Sequence, residues 1–316
     1  MAAPEQGNQT FITEFILLGF GTLPKLQIIL FLLFLVIYIA TMAGNILIMV
    51  LVVADQHLHT PMYFFLGNLS CFETFYTSTI LPKLLASILT GDRTISVRGC
   101  ITQYYFFCSM LGTECLLLSV MSYDRYLAIV KPLHYAARMT GRSCLQLAGG
   151  SWVGGFLASS IATVLVTQLN FCGQNAIDHF FCDFIPLVKL SCNDPQRVEM
   201  LAFIFSCLFL LVPFLLTMMS YISIIVTILR IPSTTGRQKA FSTCSSHLIV
   251  VSIYYGTLLI AYMFPTAHTL RDFKKVLSVV YTVLTPLVNP LIYTLRNKEV
   301  KGALRKACRK LILGQR

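Results

Sequence analysis

The strongest structural signal in this chain is the segment of residues 26–53, LQIILFLLFLVIYIATMAGNILIMVLVV, which carries no charged side chain. A helix needs about 20 apolar residues to cross a hydrocarbon layer roughly 30 Å thick, because each residue advances it by about 1.5 Å. Six further segments have similar length and character: residues 61–88, 100–130, 143–166, 200–229, 240–264 and 276–295. The pattern predicts an all-α membrane protein, a seven-transmembrane helix bundle.

The composition supports a membrane location. The chain of 316 residues is 56% apolar and 12% charged. A soluble domain carries about 25% charged residues, because its surface must be wetted. Most of this surface is therefore expected to contact lipid. A channel or a two-halves transporter would need a polar pathway or broken helices in matching positions, and the sequence has neither pattern.

The distribution of positive charge predicts the orientation. If the N-terminus is outside, the inner side holds 15 Lys and Arg residues against three acids, and the outer side holds nine against eight. Basic residues concentrate on the cytoplasmic side of membrane proteins. We expect a multi-pass plasma-membrane chain with an extracellular tail (1–25), a bundle (26–295) and a cytoplasmic segment (296–316). The net charge of +11 then faces the bilayer and an inner partner, not nucleic acid.

Both terminal segments carry smaller signals. Residues 1–10 lack the basic and apolar regions of a cleaved signal peptide, and Asn8-Gln9-Thr10 is a glycosylation sequon that fits an outer tail. Residues 298–312 predict a short amphipathic C-terminal helix along the membrane surface. Its apolar face comprises Val300, Ala303, Leu304, Ala307 and Leu311. Cys308 in this helix is either a palmitoylation site or an ordinary free thiol.

Five motifs lie in order along the chain at spacings that fit the predicted helices. They are LHTPMYFFL at 58–66, MSYDRYLAI at 121–129, Ser220-Tyr221, KAFSTCSSH at 239–247 and PLVNPLIY at 286–293. Together they resemble the signature of vertebrate olfactory (odorant) receptors, which are rhodopsin-like G-protein-coupled receptors. The chain departs from the family pattern at three positions, with Glu73 in place of the usual Asp, Ser122 in place of Ala and Val130 in place of Cys.

The resemblance implies a signalling switch at the inner ends of the helices. Arg125 follows Cys100 by 25 residues, roughly 37 Å of helix, so it lies at the inner face if Cys100 lies at the outer one. In the family, Asp124 holds Arg125 in the silent state, and Arg125 meets the Gα subunit in the active one. The implied switch residues are Asp124, Arg125, Tyr126, Tyr221, His247, Asn289, Pro290 and Tyr293. From the residues alone, Arg125 could simply mark the membrane boundary, and the tyrosines could be interfacial.

Two acids, Glu73 and Glu114, lie deep within predicted membrane helices. Both cannot be ionised there without compensation by protons or a cation. The resemblance implies a sodium-ion or proton site with Asn45 and Asn289, and no other cofactor. The alternative is a hydrogen-bonded protonated pair that only supports packing. His179 is a lone loop histidine, so we predict no metal site there.

The ligand pocket implied by the resemblance lies below the outer ends of helices three, five, six and seven. Its predicted lining is Phe107, Cys108, Leu111, Gly112, Phe205, Ser206, Phe209, Tyr255, Leu258, Leu259, Tyr262, Val279 and Thr282. Such an apolar, aromatic lining suits a small, largely neutral and volatile ligand. Phe107 stands where amine receptors of this class have Asp, so that position offers a cationic ligand no counter-ion. Tyr255 is the candidate sensing side chain, and its alternative role is a core aromatic.

Four cysteines fall on the predicted outer side, where disulfides persist: Cys100, Cys172, Cys182 and Cys192. The sequence alone leaves three pairings open. The family resemblance pairs Cys100 with Cys182 and Cys172 with Cys192.

The predicted function is therefore an odorant receptor that activates a stimulatory, olfactory-type heterotrimeric G protein and raises cyclic AMP. The resemblance implies the cilia of olfactory sensory neurons as its location. One alternative is an olfactory-type receptor expressed elsewhere that senses a small metabolite; a channel or transporter is the alternative from another class. An enzyme is not expected, because no His/Asp/Glu cluster has the spacing of metal ligands or of a nucleophile and its base.

Overall fold

The computed structural model describes residues 12–21, 26–171, 174–192, 200, 201, 203–205, 207–263 and 271–313. Within these residues the first long helices are α1 (Gln27–Ala54), α2 (Pro61–Thr90), α3 (Val97–Val130) and α5 (Gly141–Thr167), with the short helix α4 (Pro132–Arg138) before α5. The short helix α6 (Phe184–Lys189) follows in the connection. The second half contains α7 (Val212–Leu229), α8 (Thr234–Met263), α9 (Arg271–Val279), α10 (Thr285–Arg296) and α11 (Lys298–Leu313).

Two of the long helices contain π-helical turns. Cys207–Leu211 precedes α7, and Val280–Leu284 joins α9 to α10. The helical segments Phe203–Leu229 and Phe273–Thr294 are each long and apolar enough to span a membrane. Seven long helical segments thus form the predicted seven-transmembrane bundle.

Among the described residues, six helical segments are long and apolar enough to be membrane spans. Helix α2 is long enough but less apolar than these six. It has 30 residues, but polar side chains such as Asn68, Glu73 and Thr77 lower its hydropathy. It packs between α1 and α3, and Glu73 and Thr77 are buried there. A helix surrounded by other helices does not need the apolar surface that lipid requires.

Helix α3 is the centre of the bundle. It packs against α2, α5, α7 and α8, and it buries side chains along its whole length. Helices α3 and α5 approach each other closely, because two glycines face each other at their crossing. A Cβ atom placed on Gly112 would lie 3.3 Å from the Cα atom of Gly155. Small residues at a crossing allow helix backbones to approach closely in a membrane.

A small sheet covers one end of the bundle. Strand β1 (Glu14–Leu17) pairs antiparallel with β2 (Thr94–Ser96) and parallel with β3 (Ala176–Ile177). Residues 14–17 lie in the segment that the sequence assigned to a tail, so part of that segment is ordered against the bundle. The Cys100–Cys182 disulfide lies beside the sheet, and we call this end of the bundle the disulfide end.

The disulfide Cys100–Cys182 forms as the family resemblance implied, with a Cα–Cα distance of 5.5 Å. Cys192 is also disulfide-bonded. Its predicted partner Cys172 lies outside the described residues, as does the sequon residue Asn8.

The opposite end, which contains Arg125 and α11, is called the basic end. Helix α11 is amphipathic: Val300 and Ala303 are buried, whereas Lys301 and Arg305 are exposed. The side chain of Leu311 lies outside the described part. The Lys306 ammonium lies 3.3 Å from both carboxylate oxygens of Asp55 and so ties α11 to the α1–α2 connection.

Candidate functional site

An apolar, partly open cavity of about 140 Å³ lies between the helices near the disulfide end. Its walls come from α3, α5, α8 and the segment that leads into α7, and residues 183 and 184 close it from the connection. Seven residues of the predicted lining reach it: Cys108, Leu111, Gly112, Phe205, Phe209, Leu258 and Tyr262. The sequence thus identified the face of α3 that borders this space.

Five other predicted lining residues do not border this cavity: Phe107, Tyr255, Leu259, Val279 and Thr282. Phe107 is fully buried between other rings, with centroids 5.8 Å from Tyr76 and 4.8 Å from Phe181. Successive side chains on a helix point about 100° apart, so Phe107 faces away from the cavity that Cys108 borders. Ser206 lies outside the described residues.

The fourth long helix, α5, forms the wall of the cavity that the sequence analysis assigned to the seventh helix. Nine lining residues were not predicted: Tyr104, Cys115, Ala158, Ser159, Ala162, Leu165, Asp183, Phe184 and Leu210. The seventh helix is kept from the cavity because its Tyr281 fills the space beside Phe107 and Tyr262, with ring centroids 6.4 Å and 6.1 Å away. The spacing of Ala158 and Ala162 by four residues puts them on one face of α5, a signal that could have identified this wall.

Asp183 is the acidic group of the cavity wall and is only 6% exposed. Its Oδ1 atom accepts hydrogen bonds from the Phe184 backbone N–H at 2.8 Å and from the Tyr262 hydroxyl at 3.2 Å. Burial raises the pKa of Asp183 to about 6, and these two hydrogen bonds oppose that rise. The carboxyl group is therefore mostly ionised at neutral pH but close to its titration range.

Asp183 and Tyr262 also border a second, polar cavity of about 300 Å³. Its other charged residues are Asp178, Lys189, Lys274 and Lys275, and Lys275 forms an ion pair with Asp178. His179 lies in the same wall, with Nε2 3.2 Å from the Ser278 hydroxyl. Burial, followed by the charge of Lys275, lowers the pKa of His179 to about 3, so this ring is neutral at physiological pH.

Tyr255 lies just below the apolar cavity. Its hydroxyl donates to the Cys115 carbonyl at 2.8 Å and lies 3.4 Å from the Ser119 hydroxyl. Ser119 in turn donates to the Pro213 carbonyl at 2.8 Å. These hydrogen bonds join α3, α7 and α8 beneath the cavity. A shift of Cys115 would therefore displace Tyr255 and with it α8.

The two intramembrane acids, Glu73 and Glu114, are both buried. Asn289 donates to the Glu73 carboxylate. Asn45 donates to the Thr41 carbonyl at 3.1 Å and to the Pro286 carbonyl at 3.3 Å. Among the described residues, Glu114 Oε1 and Asn45 Oδ1 have no hydrogen-bond partner although both atoms are buried.

At the basic end, Arg125 is paired with its neighbour. Its Nε atom lies 2.8 Å from Asp124 Oδ2, and the Tyr135 hydroxyl donates to Asp124 Oδ1 at 2.9 Å. This is the pairing that the resemblance implied for the silent state. Tyr221 lies 2.6 Å from His247 Nδ1, which links α7 to α8.

A cavity of about 660 Å³ opens beside Arg125. It is lined by the start of α2, the first turns of α8 and the end of α10, including His247 and Tyr293. Pro290 does not border this cavity. Its ring packs against α1, where a Cβ atom placed on Gly44 would lie 3.2 Å from it. Tyr126 is half-buried next to the cluster of Tyr221 and Ile224. The basic end thus has a recess large enough to receive part of another protein.

Comparison with known proteins identifies the family. A family model described as Olfactory receptor matches residues 34–310. The chain belongs to the olfactory receptor family. It is 49% identical over 306 residues to Olfactory receptor 10A7 of Homo sapiens, covering 97% of both chains. It is 50% identical over 300 residues to Olfactory receptor 11A1 of Homo sapiens (95% of both chains), and 48% identical over 299 residues to Olfactory receptor 5AP2 of Mus musculus (95% of this chain and 94% of that one).

Membership of the olfactory receptor family confirms the resemblance seen in the five motifs. It makes this chain a multi-pass membrane receptor whose partners are a small molecule and a G protein. In such a receptor the apolar cavity and the recess beside Arg125 lie at opposite ends of one helix, α3.

Proposed function

We propose that this olfactory receptor binds a small, hydrophobic, largely neutral volatile in the apolar cavity and then activates a stimulatory, olfactory-type G protein, which raises cyclic AMP. The observation that carries this proposal is the cavity itself. A cavity of about 150 Å³ accepts a molecule the size of benzene, and the present volume of about 140 Å³ is similar. Its aromatic and aliphatic walls favour a ligand with little polar surface.

The proposed orientation puts the disulfide end outside the cell and the basic end in the cytoplasm. The excess of Lys and Arg at the basic end supports it, since such residues are retained on the cytoplasmic side. The Cys100–Cys182 disulfide supports it as well, because disulfides persist in the extracellular environment. For an olfactory receptor, this orientation exposes the cavity end to odorants at the ciliary membrane.

The test is a cyclic AMP assay in cells that express the full chain together with an olfactory-type Gα subunit. The panel consists of odorants with about six to twelve non-hydrogen atoms and, as a control, much larger hydrophobic odorants that exceed the cavity. We expect responses only within the small set. Receptor present at the cell surface but silent to every small compound would contradict the proposal.

We also propose that the cluster of Glu73, Glu114, Asn45 and Asn289 holds a sodium ion or a shared proton that favours one signalling state. Two observations support it: Asn289 donates to the Glu73 carboxylate, and the unpartnered oxygens of Glu114 and Asn45 are both hard acceptors suited to sodium. An acid inside a membrane helix is costly unless such a partner compensates it.

Glu114→Gln is expected to change basal cyclic AMP by about five-fold or more, because it removes the carboxyl group that binds the sodium ion or shares the proton. It should also remove any dependence of the response on sodium. Both quantities are measured across sodium concentrations at matched surface expression. Glu14→Gln, which removes an exposed acid at the disulfide end, is the control. Basal signalling and sodium response identical to those of the unaltered receptor would refute the proposed site.

A further inference from the structure

The apolar cavity has an asymmetric electrostatic character. Its described lining includes Asp183 and no Lys, Arg or His. Five aromatic rings share the wall: Tyr104, Phe184, Phe205, Phe209 and Tyr262. The faces of aromatic rings attract cations, and the attraction strengthens where water is excluded. A cation would therefore be stabilised here by the Asp183 carboxylate and by each ring whose face borders the cavity, whereas an anion would be opposed by the carboxylate.

Asp183 is held in position by neutral donors. The Phe184 N–H and the Tyr262 hydroxyl, at 2.8 Å and 3.2 Å, both reach the Oδ1 atom. The Cys100–Cys182 disulfide precedes Asp183 directly in the chain, and α6 begins directly after it. The carboxylate is thus fixed at the cavity wall by the local fold.

We propose that this receptor recognises small protonated amines, whose ammonium group binds Asp183 while the hydrocarbon part fills the apolar cavity. The inference rests on the proposed function for the cavity and the coupling, but it replaces the largely neutral ligand proposed there with one that is charged in water. A volatile amine is neutral as vapour and becomes protonated in water. The sequence offered no counter-ion at Phe107, and Asp183 supplies one from the connection between helices four and five.

The groups on the far side of Asp183 do not reverse this preference. The polar cavity adds Lys189, Lys274 and Lys275, of which Lys275 pairs with Asp178, while His179 is neutral. The charge of Lys274 acts on Asp183 and favours its ionised form. A ligand carboxylate in the apolar cavity would instead meet Asp183 directly. An alcohol of the same shape would fit but would form no ion pair.

The geometry also predicts how pH changes the response. The pKa of Asp183 is raised to about 6, so the carboxylate is present above that pH and is lost below it. Ammonium ligands remain charged throughout this range. The apparent affinity for an amine should therefore be constant above pH 7 and fall about ten-fold by pH 5, whereas the affinity for the matching alcohol should not change.

The experiment compares cyclohexylamine with cyclohexanol, and benzylamine with benzyl alcohol, in the cyclic AMP assay. In Asp183→Asn the side chain can still accept the Phe184 and Tyr262 hydrogen bonds but has lost its charge. We expect the half-maximal concentration of the amines to rise about 30-fold or more, and that of the alcohols to change by less than about three-fold. Asp178→Asn, which removes a charge from the same connection outside the apolar cavity, should leave the amine response intact.

Binding is measured in parallel as thermal stabilisation of the purified full-length receptor by the same four compounds. Stabilisation by amines that is lost in Asp183→Asn supports the inference, whether or not cyclic AMP rises. If the amines stabilise the receptor but cyclic AMP does not rise, the proposed coupling to a stimulatory G protein is wrong and the amine inference stands. If alcohols activate the receptor and amines neither activate nor stabilise it, the amine inference is wrong and the proposed function stands. Equal losses of amine and alcohol responses in Asp183→Asn would likewise overturn it, since the residue would then only shape the fold.

Discussion

Replacing Arg125 with alanine is expected to abolish the ligand-dependent rise in cyclic AMP while the receptor remains at the cell surface. Arg125 is 9% exposed, lies at the wall of the recess at the basic end and is paired with Asp124. In the proposed mechanism this guanidinium leaves Asp124 and contacts the Gα subunit. A buried contact between Arg125 and the Gα subunit would contribute several kcal/mol to G-protein binding. Loss of the guanidinium should therefore reduce the response at least about 100-fold.

The controls separate coupling from folding. Arg138→Ala removes the same charge from an exposed position at the same end and should signal normally. Arg125→Ala leaves Asp124 buried with the Tyr135 hydroxyl as its donor among the described residues, and such an uncompensated buried charge destabilises the bundle. The double variant Asp124→Asn/Arg125→Ala removes that penalty and should remain silent. A normal response in either Arg125 variant would mean that the contact with the G protein lies elsewhere.

Gly155→Ala is expected to have the largest effect on stability. The new Cβ atom would lie 2.6 Å from both the Ser109 carbonyl oxygen and the Thr113 backbone nitrogen on α3. Because these are backbone atoms, the helices themselves must separate. Overpacking of this kind costs about 3 kcal/mol or more, so we expect little receptor at the surface and a melting temperature lower by about 5 °C or more.

Gly149→Ala on the same helix is the matched control for Gly155→Ala. Its new Cβ atom would have no neighbouring atom within 4 Å outside the local helix backbone. It should be neutral or slightly stabilising, because alanine favours helix more than glycine does. Thr113→Ala added to Gly155→Ala removes only the contact with the threonine hydroxyl and should not restore expression. Wild-type stability in Gly155→Ala would show that α3 and α5 are farther apart than the structure has them.

The helices were predictable from the sequence because the thickness of the bilayer sets their length. The segment predicted at 143–166 is the helix Gly141–Thr167, and that predicted at 61–88 is Pro61–Thr90. The capping bond of Thr140 to the Ser143 N–H explains where the former begins. By contrast, the π turn Val280–Leu284 depends on how neighbouring helices pack, and no periodic pattern of side chains indicates it.

The candidate site was predictable only in part. Cys108, Leu111 and Gly112 follow from the depth and face of one helix, and the structure has all three at the cavity. Asp183 could not be found in this way, because it lies in a connection whose path is fixed by a disulfide and a small sheet. Strand pairing between residues far apart in the chain, such as Leu17 with Ile177, has no local signature in so short a strand.

Epitope tags at the two ends of the chain measure most directly which side of the membrane each end of the bundle faces. An antibody that cannot cross the membrane is applied to intact cells and to permeabilised cells that express either tagged receptor. The N-terminal tag should be stained on intact cells, and the tag after α11 only once the cells are permeabilised. Staining of the C-terminal tag on intact cells would put the recess beside Arg125 outside the cell, where no G protein could reach it.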